Sequence, residues 1–286
     1  MKHFFLVIFL ATFATAYSQF ENIDLGGRAA ALNGAYTSLS DNSLAVFYNP
    51  SGLGQMKYRE VSFYYNPAPF GLSELSTAAF TYAEPMSFGT LGAGVKTYGF
   101  DLYRETSFSV SYGNSYRGKI FYGANVNLYN LNIKNYNSAT SFGIDIGAMA
   151  YLTKFLKWGF IGKNLTGSTI GTSKENIAQV YRTGFTIQPR PDISFILETE
   201  KDVKYPFSFR GGFEYSVMEF IDIRAGLSSE PATFSGGIGI YYSLFQLDYS
   251  FNNHPDLGLT HQGSLTINFG GLDAKKSMRE RLSKSF

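Results

Sequence analysis

The sequence predicts an all-β fold: a 14-stranded antiparallel transmembrane β-barrel with an N-terminal plug containing short helices. Three observations point there. Apolar and polar residues alternate through most of the chain, so one face of each segment is greasy and the other wet. Aromatic residues make up 17% of the chain and charged residues 16%, where a soluble domain of this size carries about 25% charge. The connections between segments alternate between tight and longer, as they do in barrels with short turns on one side of a membrane and longer loops on the other.

Taken in order, residues 1–18 have a secretory layout. Lys2 and His3 precede an apolar run from Phe4 to Ala16, and Ala16-Tyr17-Ser18 offers a small-residue cleavage site before Gln19. The run falls short of the roughly 20 residues that a membrane helix needs. The chain has no cysteine, which excludes a disulfide framework, a thiolate metal site and an N-terminal lipid anchor on Cys. A net charge of +2 shows no bias towards nucleic acid.

Residues 19–56 are rich in Ala, Gly, Asn and Ser and precede the first strand. Within "SDNSLAVFYNPSGLG", Ser40, Asp41 or Asn42 is placed to cap a short helix whose apolar side is Leu44, Phe47 and Tyr48. Pro50 stops that helix, and Asn49 before it is pushed into an extended conformation. Gly52 and Gly54 then permit close approach to a wall. Fourteen strands enclose more space than their own side chains fill, so this segment is expected to occupy the bore as a plug. A periplasmic helical arm is the alternative.

The barrel is expected over residues 57–269, with segments starting near Tyr58, Leu75, Leu91, Thr106, Lys119, Ser141, Lys157, Gln179, Ile193, Phe207, Ile221, Thr233, Phe245 and Leu259. In "FQLDYSFN", Phe245, Leu247, Tyr249 and Phe251 alternate with Gln246, Asp248, Ser250 and Asn252. Because the polar face is mostly Ser, Thr, Asn, Gln and Gly with few lysines, it suits a lumen better than a solvated outer surface. An even strand count places both termini at the same, periplasmic end. Tyr64, Tyr65, Tyr112, Trp158, Tyr242 and Phe269 are expected in the interfacial girdles. By period, Arg182, Glu198, Arg210, Glu214, Asp222, Arg224 and Asp248 fall on the lumen side, where charges should pair. They read as a network between wall and plug, or else as a selective pore lining. Residues 270–286 form a basic tail in which Met278, Leu282 and Phe286 recur every four, the pattern of a short helix that docks on a periplasmic partner.

The stretch "GGRAAALNGAYTSLSDNSLAVFYNPSGLGQM", with Asn49, Pro50, Gly52 and Leu53 at its centre, resembles the N-terminal signature of the FadL-like outer-membrane barrels, especially the PorV/PorQ-type branch. "YSFNNHPDLGLTHQGSLTINF" is similar to the last hairpin of that branch. The resemblance implies a 14-stranded barrel with an N-terminal hatch, integral to a Gram-negative outer membrane. It further implies a non-enzymatic subunit that works with protein partners in a secretion or assembly machine of the type IX kind. The alternative is a passive channel for hydrophobic small molecules, for which the glycines of "LGAGVK" (Leu91 to Lys96) would soften the third strand.

No G-x-S-x-G or H-E-x-x-H motif occurs, and no phosphate-cradling glycine pattern. His254, Asp256 and His261 could hold a divalent ion, but Pro255-Asp256 reads more simply as a loop turn. We therefore expect no catalytic residues, no metal and no cofactor, and lipid as the surrounding medium.

Overall fold

The structure, a computed structural model, describes residues 19–271 except 22 and 137, together with 273, 277 and 280. The predicted tail residues Met278, Leu282 and Phe286, and the leader 1–18, lie outside the described residues. Strands β1 (Glu60–Asn66), β2 (Thr77–Met86), β3 (Gly89–Gly99), β4 (Tyr103–Tyr116), β5 (Ile120–Ile133), β6 (Ala139–Thr153) and β7 (Leu156–Lys163) form the first half of the wall. A two-stranded ribbon, β8 (Thr169–Ile170) and β9 (Glu175–Asn176), sits in the next connection. The second half is β10 (Val180–Arg190), β11 (Ile193–Asp202), β12 (Phe207–Met218), β13 (Ile221–Ser229), β14 (Ala232–Tyr242), β15 (Phe245–His254) and β16 (Gly258–Asn268).

The fourteen wall strands pair antiparallel with their sequence neighbours, and β1 pairs with β16 to close a barrel. Closure is what lipid demands, because each backbone N–H and C=O in the hydrocarbon region must find a partner within the protein. Every strand starts within three residues of its expected position. The three shifts in register, between Tyr151 and Thr153, Ile187 and Arg190, and Ser216 and Met218, all sit beside tight turns. β3 pairs with β2 and β4 without a shift, so Gly92 and Gly94 do not open the ladder as expected.

Burial in the wall is inverted relative to a soluble sandwich. Val110, Val126, Leu197, Phe209, Leu227 and Leu247 are exposed on the outside, while Ser109, Ser111, Asn125, Asn127, Ser250 and Thr266 are buried inside. Aromatic pairs run across the outer face, with Phe63 and Phe80 rings 5.1 Å apart and Phe195 and Phe213 at 5.3 Å. Tyr65, Tyr242 and Phe269 are exposed, as the girdle expectation requires. Tyr64 is not: its strand parity turns it inward, where it is buried and its hydroxyl bonds Gln262.

The leading segment packs against the inward face of this wall. It folds as α1 (Gly27–Ala31), α2 (Ala45–Tyr48) and a 3-10 turn over Pro50–Gln55. Leu25, Leu32, Tyr36, Leu39, Leu44 and Tyr48 form its buried core together with the wall residues Tyr64 and Ile196. Each fully buried large apolar side chain contributes about 1.5–3 kcal/mol relative to water. Wall glycines give it room: a Cβ on Gly123 would strike Pro50, and one on Gly237 would strike Ala31. Gly92 and Gly94 serve the same purpose, receiving Val46, Leu53 and Phe47.

The segment is threaded through the length of the barrel. Gln19 bridges to Ile177 in the long connection after β7, its N–H bonding Asn176 at 3.0 Å, whereas Met56 emerges beside the start of β1 at the tight-turn end. β16 also ends there, its Asn268 side chain bonding Glu60 at 2.7 Å. Gln19 and the end of β16 therefore lie at opposite ends of the barrel rather than at one end as expected. The strand count fixes only where β1 begins and β16 ends, and the segment preceding β1 has crossed the bore.

Outward and inward parity can be tested on a single strand. Val110, 65% exposed near the middle of β4, should on substitution by arginine (Val110→Arg) cost about 2–4 kcal/mol in equilibrium refolding into lipid vesicles.

Candidate functional site

The interior falls into two regions along the barrel axis: a filled lower part at the tight-turn end and a cavity at the long-connection end. Asn49 organises the filled part. Held extended at φ −154°, ψ 103° by the proline that follows, it caps the 3-10 turn by accepting from Ser51 N–H at 3.2 Å and Ser51 Oγ–H at 2.7 Å. Its amide nitrogen donates to the Thr37 carbonyl at 2.9 Å and to the Phe160 carbonyl of β7 at 3.2 Å. Leu53 is fully buried beside Gly92 and Gly113. Gly54 meets the Asn114 backbone of the wall, but Gly52 meets the Ser40 carbonyl within the segment itself. Ser40, Asp41 and Asn42 do not cap α2 through their side chains; Leu44 occupies that position, and Asp41 is drawn to Arg28.

All seven predicted lumen charges point inward, and the structure groups them with partners that the strand period could not reveal. Arg224 contacts Glu214 at 2.7 Å, Asp248 at 2.7 Å and Asp222 at 3.2 Å. Arg28 of the leading segment adds a two-pronged contact to the same Glu214, at 2.8 and 2.9 Å, and reaches Asp41 at 2.6 Å. Nearer the other end, Arg210 bridges Asp24 and Glu200, each at 3.0 Å. Arg182, fully buried, pairs with Glu200 and lies 3.7 Å from Glu198, whose second oxygen accepts the Thr37 N–H at 2.8 Å. Asp24, Arg28, Asp41 and Glu200 were missed. The first three sit in a segment with no strand period, and Glu200 shares the parity of Glu198 but lies at the strand end.

The cavity at the mouth has a volume of about 610 Å³. Its floor is the leading segment at Ile23, Asp24, Ala30 and Asn33, and its walls carry Tyr64, Tyr98 and Tyr103. The connection after β1 folds over its rim, bringing in Pro69, Phe70 and Leu75. Phe70 holds a left-handed backbone (φ 57°), a conformation that costs a non-glycine residue about 1 kcal/mol or more. Its N–H donates to Thr260 Oγ1 at 2.9 Å and its ring meets His254 edge-on at 5.8 Å. Glu105 accepts from the Tyr103 hydroxyl at 2.7 Å and from the Phe20 N–H at 3.1 Å. Burial pushes the Glu21 carboxyl above the usual carboxylate range, partly offset by the Tyr205 hydroxyl bonded to it. Smaller cavities of about 70 Å³ and 40 Å³ lie along the segment below this chamber.

His254 and His261 are not brought together. His254 Nδ1 accepts the N–H groups of Asp256 and Leu257, each at 3.2 Å, and so caps its own turn, while His261 pairs outside with the Tyr249 hydroxyl at 2.6 Å. Among the described residues no three metal-ligating side chains cluster.

Fold and interior together define a closed 14-stranded transmembrane barrel with residues of the 19–56 segment lying in the bore. Neither a protein-family model nor a curated protein matches the chain. Solved structures do. The chain is similar to the CymD monoaromatic hydrocarbon channel, with a TM-score of 0.67 and 12% identity over 87% of this chain and 99% of that one. It is similar to the P. putida toluene transporter TodX, with a TM-score of 0.64 and 12% identity over 85% and 98%. A Pseudomonas aeruginosa FadL homologue gives 0.63 and 11% over 86% and 99%. At these identities the likeness is one of fold.

Two substitutions separate the contributions of this interior. Arg224→Met leaves Glu214, Asp222 and Asp248 crowded together, with Arg28 bound to Glu214, and should cost about 3–5 kcal/mol in chemical unfolding. Asn49→Ala should cost about 1–3 kcal/mol and speed proteolysis within residues 37–55 while leaving the β-sheet circular dichroism signal unchanged.

Proposed function

We propose that the protein is a passive, non-enzymatic channel of the Gram-negative outer membrane for hydrophobic small molecules. In this reading the mouth chamber is its entry site and residues 19–56 are its plug. The observation that carries the reading is the 610 Å³ chamber, walled by tyrosine and phenylalanine and floored by the leading segment, at one end of a closed lipid-facing barrel. The fold-level likeness to channels for monoaromatic hydrocarbons and toluene supports it. On this reading the tight turns lie on the periplasmic side and the chamber opens outward.

In this reading passage requires the plug to shift, since the segment packs closely on the inner wall beneath the chamber. β3 offers no side exit, since the ladders on both its sides are continuous. The plug is held largely by hydrogen bonds and ion pairs, such as Ser38 to Thr186 at 2.8 Å and Arg28 to Glu214. Such contacts can be exchanged for water one at a time, so a register of the segment that opens the bore costs less than it would against a dry apolar wall.

The other reading, an accessory subunit of a protein-secretion machine, is drawn from the likeness of residues 26–56 and the final hairpin to PorV/PorQ-type barrels. Two of the solved structures of similar fold, a monoaromatic hydrocarbon channel and a toluene transporter, favour the small-molecule reading instead. Its docking element, Met278, Leu282 and Phe286, lies outside the described residues.

A locked plug tests the channel. The chain has no cysteine, and in Ser38→Cys/Thr186→Cys the sulfurs replace two hydroxyl oxygens already 2.8 Å apart, close enough for a disulfide. Oxidised protein in liposomes should pass toluene or naphthalene at no more than a tenth of the rate of the reduced form. Equal rates in both states would refute plug movement, and equal rates with and without the protein would refute transport.

A further inference from the structure

The polar groups of the mouth chamber are unevenly matched: among the described residues two buried acceptors, Asp24 Oδ1 and Asn66 Oδ1, and one donor, Arg210 Nε, lack hydrogen-bond partners, and carboxylates outnumber cations. Asn66 lines the chamber at the end of β1, is 4% exposed, and has an amide oxygen without a hydrogen-bond partner. A buried acceptor left in that state costs about 1–3 kcal/mol, which a ligand bearing a donor would recover. Three carboxylates, Glu21, Asp24 and Glu105, line the chamber against one guanidinium, Arg210. That guanidinium is already divided between Asp24 and Glu200 at 3.0 Å each and donates to the Asn33 carbonyl at 2.9 Å.

On the opposite wall Glu21 and Glu105 make no ion pair among the described residues. Two ammoniums stand nearby but outside the chamber lining: Lys96, which reaches the backbone carbonyl of Glu21 at 3.5 Å, and Lys163, which shares a small adjoining cavity with Lys96 and Glu21. The groups that line the chamber itself, three carboxylates against one guanidinium, leave its field negative. The low dielectric of a partly enclosed cavity makes that field felt across several ångströms.

Resting on the channel reading above, the geometry points to a charge and donor filter at the mouth. The chamber takes ring-bearing molecules whose polar group donates hydrogen bonds and carries no negative charge, phenols and arylamines, and rejects carboxylates of the same shape. The tyrosines supply faces for the ring, Asn66 Oδ1 accepts from the hydroxyl or amine, and Glu21 and Glu105 repel an anion.

The test holds the ring constant. Full-length protein in zwitterionic nanodiscs is titrated with naphthalene, 2-naphthol, 2-naphthylamine and 2-naphthoate, with empty nanodiscs subtracted. The naphthol and the amine should bind at least about tenfold more tightly than the naphthoate. Glu105→Gln, which keeps an oxygen to accept from Tyr103 and Phe20, should narrow that gap by about fivefold. Asn66→Leu should erase an advantage of about fivefold of naphthol over naphthalene. Naphthoate binding as tightly as naphthol in the native protein would overturn the filter while leaving the chamber a binding site. Binding by no member of the series would overturn both this inference and the entry site of the proposed channel.

Discussion

The structure depends on how a bore too wide for its own side chains is filled. A closed barrel of fourteen strands satisfies its backbone through the ladder alone, but it leaves a lumen lined by serine, threonine, asparagine and charged groups that need partners. The leading segment meets that need. It brings guanidinium and carboxylate groups at Arg28, Asp24 and Asp41 to the wall clusters, and backbone N–H groups at Thr37 and Ser43 to Glu198 and Glu60. It also buries its leucines against itself, since the wall offers little apolar surface inside. Without it, Glu214, Asp222 and Asp248 would face Arg224 with no second cation from Arg28.

This arrangement makes the interior both firm and divisible. Apolar contacts hold parts of the segment together, as where Tyr36 and Tyr48 meet with ring centroids 5.0 Å apart, while between segment and wall the polar contacts stand beside close packing of Val46, Phe47 and Leu53 on Gly92 and Gly94. The mouth chamber lies above this segment, so its floor and the obstruction beneath it are the same piece of chain. Asp24 and Asn33 both line the chamber and hold the segment to the wall, at Arg210 and Asn252.

Much of this was legible in the residue order, and particular residues show where it stopped. A period of two reports which face a side chain takes, so Arg182, Glu198, Arg210, Glu214, Asp222, Arg224 and Asp248 could be assigned to the lumen. Asp24, Arg28 and Asp41 carry no such period, and nothing in their neighbours reveals which wall they meet. Tyr64 was misread because its neighbourhood in "SFYYN" suggested an interfacial belt, whereas parity turns Tyr65 outward and Tyr64 inward to Gln262. Gly92 and Gly94 were read as weak points of the wall. They are places where the wall yields to Val46 and Phe47, and a glycine's use depends on what stands opposite.

The residue order by itself determined the closed antiparallel barrel, the strand starts and the inverted faces. All of these follow from local alternation and turn chemistry, which act over a few residues and repeat fourteen times. Only the tertiary structure decided that Gln19 lies at the end opposite the start of β1, which carboxylates each arginine holds, and that a chamber remains open at the mouth. Those outcomes depend on the path of an aperiodic segment among residues up to 237 positions away, as in the bond from Gly27 to Ser264. Contacts at that separation are set by shape and charge in three dimensions, for which no short stretch of sequence carries a signal.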